Sequence, residues 1–441
     1  MKVTIGIDLG STTTKAVLLD EDGAVLGRGI TNSRSNYHLA AEIARDEAFV
    51  GARFTLLGRE LDAELGAGDA ETAAAFHKKL LARFRRHQYL SQLARLRDMA
   101  MQEAGADRVK HLAGPLGARL STVFDELEKA AKSAVLTPSG SDFFRDLASS
   151  QFSRMADRFA DREVTFETLI SIFDKAILQV ENSRLDLTFA GNIRSALADC
   201  TAKETEERRA RYERVVDRVI KKDLDVARTI GTGYGRQRLP FPKDDIRSEI
   251  LCHGLGAHIM FPNTRTVLDI GGQDTKAIQV DARGIVTSFQ MNDRCAAGCG
   301  RYLGYIADEM SLGVHELGPM AMQSTRKVKI SSTCTVFAGA ELRDRLTLGQ
   351  RREDILAGLH RAIILRAMAL LARSGGVDDE FTFTGGVANN EAAVTALRQL
   401  VAESYGDRKL NISTNSIYTG AHGAAMFALR AVRGESAEVQ A

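Results

Sequence analysis

Two segments of the chain combine an aspartate, small or hydroxyl side chains and a lysine at the same spacing. The first is DLGSTTTK, from Asp8 to Lys15, and the second is DIGGQDTK, from Asp269 to Lys276. Turns rich in glycine and hydroxyls expose backbone N–H groups that can surround a phosphate. An aspartate at the start of such a turn can hold Mg²⁺, usually through water. The pattern therefore indicates a pair of phosphate-binding turns, each beside a carboxylate suited to Mg²⁺.

The two segments belong to a longer internal repeat with one constant offset. The match continues from Asp20 to Asp281 and from Gly23 to Gly284. Each copy predicts a strand, a tight turn, a second strand, a turn at glycine and a third strand. Two facing tips would clamp one nucleotide between related halves. The alternative is two ordinary hairpins in a large sheet protein.

Charge assigns provisional roles to the residues of the two tips. We predict that Asp8 and Asp269 position Mg²⁺ and, through it, the attacking water, with turn capping as the alternative role. Lys15 is expected to neutralise phosphate charge, unless it is simply a surface lysine. The remaining predicted phosphate contacts are Gly10, Ser11, Thr12, Thr13, Gly271 and Gly272.

A third glycine motif, FTGGVANN, lies between a predicted strand and a predicted helix. Its residues Gly385 and Gly386 would let a ring or ribose approach the backbone, while the helix N-terminus faces the ligand. We include Asn389 and Asn390 in this nucleotide-binding turn, although a plain strand-to-helix turn is the alternative. Glu249, near the start of another predicted helix, is a further candidate, or only an exposed helix carboxylate.

Length and composition limit the class of protein. A chain of 441 residues is too long for one ordinary core, so two or three domains are expected. A net charge of +2 argues against a nucleic-acid partner. We find no membrane-spanning apolar run and no leader, and we expect a soluble, cytoplasmic protein. Five cysteines are too few for a disulfide scaffold and are better explained as reduced thiols or ligands.

Changes in texture along the chain predict four parts. Residues 1–35 plus 226–245 form a first half, and residues 36–225 form a large, charged helical insertion. Residues 246–417 form a second half, including a predicted strand over 327–333, and residues 418–441 supply a helix that returns to the first half. The insertion is either a docking surface or a solvated structural addition, since charge and helicity do not separate the two.

The order of these motifs resembles the actin, sugar-kinase and heat-shock-chaperone ATPase superfamily. That resemblance implies a duplicated ribonuclease-H-like α/β fold in which the hairpins grip phosphates, the Gly-Gly turn holds adenosine and two helices connect the halves. It implies ATP and Mg²⁺ as cofactors. It also places Gln273 and Asp274 at the tip that faces the γ-phosphate, where they would orient water.

Two cysteines narrow the resemblance. Cys295 and Cys334 each precede a predicted helix, and a helix N-terminus lowers the pKa of a thiol and favours an anionic ligand or cluster. Their segments, MNDRCAAG and ISSTCTVFA, resemble the cluster motifs of the BadF/BadG/BcrA/BcrD ATPases. These activate 2-hydroxyacyl-CoA dehydratases and benzoyl-CoA reductases. The resemblance implies a [4Fe–4S] cluster shared with a second ATPase subunit, either identical or smaller, with each chain giving two cysteines.

The implied function is the ATP-hydrolysing subunit of a dearomatising benzoyl-CoA reductase. Such a subunit takes electrons from reduced ferredoxin and passes them to a catalytic acyl-CoA reductase partner. The size and the helical insertion favour this reading over an activator of a 2-hydroxyacyl-CoA dehydratase, which is the runner-up. A sugar or acyl kinase, or a chaperone or filament protein, would leave Cys295 and Cys334 without a role.

The other cysteines leave alternatives open. Cys299 follows Cys295 by four residues, so it is either a further ligand or a small buried neighbour. A zinc site using Cys295, Cys299, Cys334 and His253 lacks common zinc-finger spacing. Cys252, beside His253 in a predicted connecting helix, fits better as a core residue, and Cys200 lies in the insertion with no ligand pattern around it.

Overall fold

A computed structural model describes residues 1–33, 36–66, 69–133, 144–182, 189–238, 241–292, 300–310, 312–330 and 335–435. The chain forms two compact units. One comprises Met1 and Gly29–Leu224, and the other comprises Lys2–Arg28 and Asp225–Ala441. The finer division into four parts stays a prediction.

The first unit is helical. Its apolar faces enclose large aromatic side chains, including Phe152 and Phe173, whose rings stack 4.5 Å apart. Thr165 and Thr205 cap two of the helices by accepting a backbone N–H three residues later. The helices are α1 Tyr37–Leu65, α2 Ala70–Ala104, α3 Ala113–Lys132, α4 Phe144–Phe159, α5 Phe166–Glu181, α6 Phe189–Thr201 and α7 Glu206–Lys221.

The second unit contains two sheets. The first sheet has the order β3-β2-β1-β4, with β2 antiparallel and β4 parallel to β1. Its central strand β1 is buried on both faces beyond Lys2, which explains its nearly continuous apolar sequence. The strands are β1 Lys2–Leu9, β2 Thr13–Leu19, β3 Val25–Asn32, which continues past the end of this unit at Arg28, and β4 Asp225–Thr232.

The second sheet repeats this plan with the order β7-β6-β5-β8-β9. The repeat extends to the turns: Asp20 Oδ1 accepts the N–H of Ala24 at 2.8 Å, and Asp281 Oδ1 accepts the N–H of Ile285 at 2.9 Å. The strands are β5 Thr266–Ile270, β6 Thr275–Val280, β7 Val286–Asn292, β8 Glu380–Thr384 and β9 Lys409–Asn411.

Seven helices surround these sheets in the described part of the unit. The long helix over Arg352–Ser374 has the length and composition of a membrane span, and it is alone in this among the described residues. Because 67% of its apolar window is buried inside the fold, this is weak evidence for a span. The helices are α8 Glu249–Met260, α9 Gly300–Met310, α10 Val314–Ala321, α11 Thr335–Thr347, α12 Arg352–Ser374, α13 Glu391–Tyr405 and α14 Thr419–Val432.

Helices α8 and α14 pack backbone to backbone through glycines. A Cβ on Gly256 would lie 2.0 Å from Thr419 O, and a Cβ on Gly423 would lie 1.9 Å from Cys252 O. On its sheet side α14 lies equally close to β1, since a Cβ on Gly6 would lie 2.0 Å from Ala421 O. Glycine is required at these three contacts because any side chain would overlap the facing backbone.

The predicted strand over 327–333 is wrong in its described part, because residues 327–330 pair with no strand. The backbone there packs on helices instead. Arg345 of α11 donates to Lys329 O, and a Cβ on Gly358 of α12 would lie 2.3 Å from Val328 O. Residues 331–333 lie outside the described ranges.

Candidate active site

The tips of the two hairpins face each other. A Cβ added to Gly272 would lie 2.1 Å from Thr12 Oγ1 and 3.8 Å from Ser11 Oγ. Within the second tip, the N–H of Gly271 donates to Asp274 O at 2.9 Å and closes the turn. Residues predicted to contact phosphate therefore lie together from both copies of the repeat: Gly272 from the second, and Ser11 and Thr12 from the first.

Asp8 lies at the end of β1, where it is 3% exposed. Its Oδ2 lies 3.5 Å from the Nζ of Lys15, its cross-strand neighbour. The backbone of Gly233, which has a φ of +94°, packs against the other oxygen of this carboxylate. A side chain there would overlap it, because a Cβ on Gly233 would lie 2.4 Å from Asp8 Oδ1. Asp8 Oδ1 is buried without a hydrogen-bond partner among the described residues. A buried oxygen of this kind needs a water or an ion, so the carboxylate fits hydrated Mg²⁺.

Asp269, the counterpart of Asp8, is fully enclosed. Its Oδ1 accepts a hydrogen bond from Thr384 Oγ1 at 2.8 Å and lies 3.3 Å from His253 Nδ1. Its Oδ2 lies 3.4 Å from Lys276 Nζ. Burial alone would raise the pKa of Asp269, but the charges of His253 and Lys276 outweigh burial and hold the pKa below its usual range.

Lys276 is 1% exposed and joins three carboxylates. Its Nζ lies 2.8 Å from Glu249 Oε1, 2.8 Å from Asp274 Oδ1 and 3.4 Å from Asp269 Oδ2. Burial alone would lower the pKa of Lys276, but the three carboxylates raise it. Burial, opposed by Lys276, raises the pKa of Asp274. In the structure, therefore, the carboxylates of Asp274 and Glu249 both form ion pairs with Lys276.

The two glycines of the Gly-Gly turn differ in their surroundings. Gly385 has a φ of +84°, and its Cβ would lie 2.3 Å from Ile270 O, so glycine is required for packing. Gly386 and Asn389 are exposed, and a Cβ on Gly386 would have nothing within 4 Å. Asn390 caps α13, accepting the N–H groups of Ala392 and Ala393 at 3.1 Å each. Gly386 and Asn389 are therefore the residues of this turn that are open to a ligand.

Helix α9 is bonded to the second tip. The N–H of Gly300 donates to Gly271 O and the N–H of Arg301 donates to Gly272 O, each at 2.8 Å. The first turn of α9 thus ties its otherwise unpaired N–H groups to the predicted phosphate loop. The start of α9 is therefore hydrogen-bonded directly to this loop.

Sequence reasoning missed His253 and Lys276 as members of this site. His253 follows Glu249 by four residues on α8, a spacing that places both on one helix face. Ligand atoms of Asp8, Glu249 and His253 all lie within 4.8 Å of one another. Lys276 is the counterpart of Lys15 in the repeat, and that equivalence is the signal that could have identified it. Of the other candidates, Gln273 is half-buried within the second tip, whereas Cys295, Cys299 and Cys334 lie outside the described residues.

Two α/β halves built on the same plan, facing hairpin tips with buried carboxylates, and the packed pair of helices α8 and α14 form the duplicated α/β fold that was predicted from the resemblance to the actin, sugar-kinase and heat-shock-chaperone superfamily. The chain matches the BadF/BadG/BcrA/BcrD ATPase family over residues 5–428 and belongs to that family. The family resemblance drawn from the sequence is therefore confirmed.

Relatives refine this placement. The chain is 42% identical to the (R)-2-hydroxyglutaryl-CoA dehydratase activating ATPase of Acidaminococcus fermentans over 49% of its own length and 80% of that protein. It is 31% identical to a benzoyl-CoA reductase subunit of Thauera aromatica, over 46% of its own length and 71% of that protein. The crystal structure of component A of the Acidaminococcus fermentans dehydratase shares the fold with a TM-score of 0.52 and 23% identity, covering 98% of this chain and 100% of that one.

Proposed function

We propose that this ATPase is an electron activator that uses ATP hydrolysis to deliver low-potential electrons to a 2-hydroxyacyl-CoA dehydratase. The observation that carries the proposal is the 42% identity to a dehydratase-activating ATPase across 80% of that protein. The facing hairpin tips supply the chemistry that such an activator needs. ATP is accordingly the proposed nucleotide, with Mg²⁺ as its counterion.

The residues of the site divide the work of hydrolysis. Asp8, with its unpartnered buried oxygen, would hold hydrated Mg²⁺, and Asp269 would support the same site. Lys15 contacts the phosphates because, among the described residues, its ammonium group is ion-paired with a single carboxylate, Asp8. Glu249, held by Lys276 and within 4.8 Å of Asp8 and His253, orients the attacking water. Gln273 and Asp274 support the same step from the second tip.

The nucleotide state reaches the rest of the protein through α9. Because Gly271 O and Gly272 O accept the first N–H groups of α9, a change in the phosphate loop acts directly on this helix. A nucleotide can shift such an equilibrium only by as much as it binds the two states differently. The segment immediately before α9 contains Cys295, so the proposal connects ATP to the redox ligands.

Cys295 and Cys334 are the proposed thiolate ligands, and a [4Fe–4S] cluster would give this site its one-electron chemistry. Two thiolates per chain are half of the four that such a cluster commonly requires. The proposal therefore includes a second ATPase subunit, either identical or homologous. Reduced ferredoxin is the proposed electron donor, and Cys299 is proposed to be a residue near the cluster that is not a ligand.

A benzoyl-CoA reductase partner is the second candidate. The sequence alone ranked it first on the size of the chain and on its helical insertion. Identities of 42% to the dehydratase activator and 31% to the benzoyl-CoA reductase subunit favour the opposite order. A sugar or acyl kinase of the same fold ranks third because it gives the two cysteines no role.

The proposal is tested by anaerobic purification, iron and sulfide analysis, electron paramagnetic resonance of the dithionite-reduced protein and an ATP hydrolysis assay. We expect a cluster signal that disappears in Cys295→Ser and in Cys334→Ser. The signal should persist in Cys299→Ser and in Cys200→Ser, a control in the helical unit. Electron transfer is then assayed with a 2-hydroxyacyl-CoA dehydratase and with the catalytic subunits of a benzoyl-CoA reductase.

The outcomes separate the three candidates. Reduction of the dehydratase supports the first candidate, and reduction of the aromatic reductase alone supports the second. An iron-free protein that phosphorylates a sugar would show that the redox function is wrong.

A further inference from the structure

His253 is buried between carboxylates that come from three elements. It is 6% exposed on α8, with Nδ1 3.3 Å from Asp269 Oδ1 of β5 and Nε2 3.9 Å from Glu249 Oε1 of α8. The third carboxylate is that of Asp8, at the end of β1. A Cβ on Gly420 would lie 2.6 Å from His253 Nε2 and 3.1 Å from Asp8 Oδ2. Both side chains therefore pack against the same glycine of α14.

The orientation of Asp269 depends on few contacts. Lys276 lies against Oδ2, while Thr384 and His253 lie against Oδ1. Thr384 immediately precedes the Gly-Gly turn, and His253 belongs to the helix that begins at Glu249. Asp269 therefore contacts Thr384, next to the proposed nucleoside-binding turn, and His253 of α8. Removing the imidazole would remove the 3.3 Å ion-pair contact between Asp269 Oδ1 and α8, and Thr384 would remain as the hydrogen-bond donor to that oxygen.

We propose that His253 is a positioning residue for ATP hydrolysis: its Nδ1 edge sets the orientation of Asp269 relative to Glu249 and thereby the geometry of the Mg²⁺–water system. This inference rests on the proposed ATPase chemistry and deepens it. Among the described residues, the ion-pair contacts of His253 are with carboxylates, so we expect it to act on the rate of hydrolysis more than on nucleotide binding. Partners that orient metal-binding side chains typically change activity or metal affinity by about 10- to 100-fold when they are lost.

Three substitutions of the full-length protein separate positioning from packing. His253→Asn keeps a donor near Nδ1, His253→Gln places one near Nε2, and His253→Leu keeps volume without a donor. We expect His253→Leu to lower kcat for ATP hydrolysis by about 10- to 100-fold with little change in KM. His253→Asn should recover most of the rate, and His253→Gln should not. His258→Asn, on the same helix but outside the site, is the matched control and should hydrolyse ATP at the wild-type rate.

A second measurement keeps the test independent of turnover. Titration with ADP, with and without Mg²⁺, gives the gain in affinity that Mg²⁺ provides, and this gain should shrink in His253→Leu and persist in His253→Asn. A wild-type kcat in His253→Leu, or equal losses in the Asn and Gln variants together with lower thermal stability, would overturn the inference. A wild-type protein without ATPase activity would refute the proposed function instead. In that case the Mg²⁺-dependent gain alone decides the role of His253.

Discussion

Lys276 Nζ lies 2.8 Å from Glu249 Oε1, and this contact joins the second hairpin to helix α8. The same ammonium group neutralises Asp274 and Asp269 and is 1% exposed. Its counterpart in the repeat, Lys15, has a side chain that is 12% exposed and lies 3.5 Å from Asp8. Of the two equivalent lysines, Lys276 therefore stabilises the fold by linking buried carboxylates, whereas Lys15 places a positive charge near the proposed phosphate site.

Removing each lysine should have a different effect. Lys276→Met leaves buried carboxylates without their cation and should lower the free energy of unfolding by roughly 3–5 kcal/mol. Lys15→Met should lower this free energy by less than Lys276→Met does, because Lys15 is ion-paired with one carboxylate and Lys276 with three, yet it should weaken ATP binding. Denaturant unfolding and nucleotide titration measure the two effects. Equal destabilisation by both substitutions would contradict the distinction.

Asp8 should be essential for hydrolysis, whereas its neighbour in the repeat, Asp20, should not. Asp8→Asn removes the charge that holds Mg²⁺, and we expect kcat for ATP hydrolysis to fall about 100-fold or more. Asp20→Asn is the control, since an amide oxygen can still accept the N–H groups of Asp22 and Ala24. Steady-state hydrolysis at saturating Mg-ATP gives both values. A large loss in Asp20→Asn would show that turn geometry, and not Mg²⁺ binding, controls the rate.

The Gly-Gly turn offers adjacent substitutions with opposite consequences. Gly385→Ala forces a Cβ to within 2.3 Å of Ile270 O at a positive φ, so it should destabilise the fold by more than about 1 kcal/mol. Gly386→Ala meets nothing within 4 Å, so stability should change by less than about 0.5 kcal/mol while nucleotide affinity falls. Thermal unfolding and ATP titration test the pair. Unchanged nucleotide affinity in Gly386→Ala would remove this turn from the proposed site.

His422 should make stability depend on pH. Burial, reinforced by the charge of Arg28, lowers the pKa of His422 from 6.5 to about 4. Above pH 6.5 the imidazole is neutral in both the folded and the unfolded states. As the pH falls from 6.5 towards 4, the unfolded chain takes up the proton first, so stability is lost, by on the order of 3 kcal/mol.

His422→Gln tests this dependence because it removes the titrating ring. We expect its free energy of unfolding to fall less between pH 7 and pH 4.5 than that of the wild type. Denaturant unfolding at both pH values is the measurement, and His258→Gln serves as a comparison on the other crossed helix. Parallel losses in the wild type and in His422→Gln would assign the pH dependence to other groups.

Local sequence patterns identified much of this site. Asp8 pairs across the strands with Lys15, and Asp269 pairs with Lys276, as the alignment of the repeat implies. Glycines in α8 and α14 are consistent with close helix packing, but the sequence could not show that Gly256 packs against Thr419. The strand expected over 327–333 was wrong in its described part because apolar alternation does not reveal whether a partner strand is available.

The sequence by itself determined the repeat, the two hairpins with their aspartates, the Gly-Gly turn and the family, because these depend on residue type and short-range spacing. Only the tertiary structure decided which of the two equivalent lysines is buried among three carboxylates and which histidine lies in the site. Lys276 meets Glu249, and His253 meets Asp269, through contacts between α8 and the second sheet. Burial and charge at these positions depend on groups from separate parts of the chain, and a local motif does not encode that proximity.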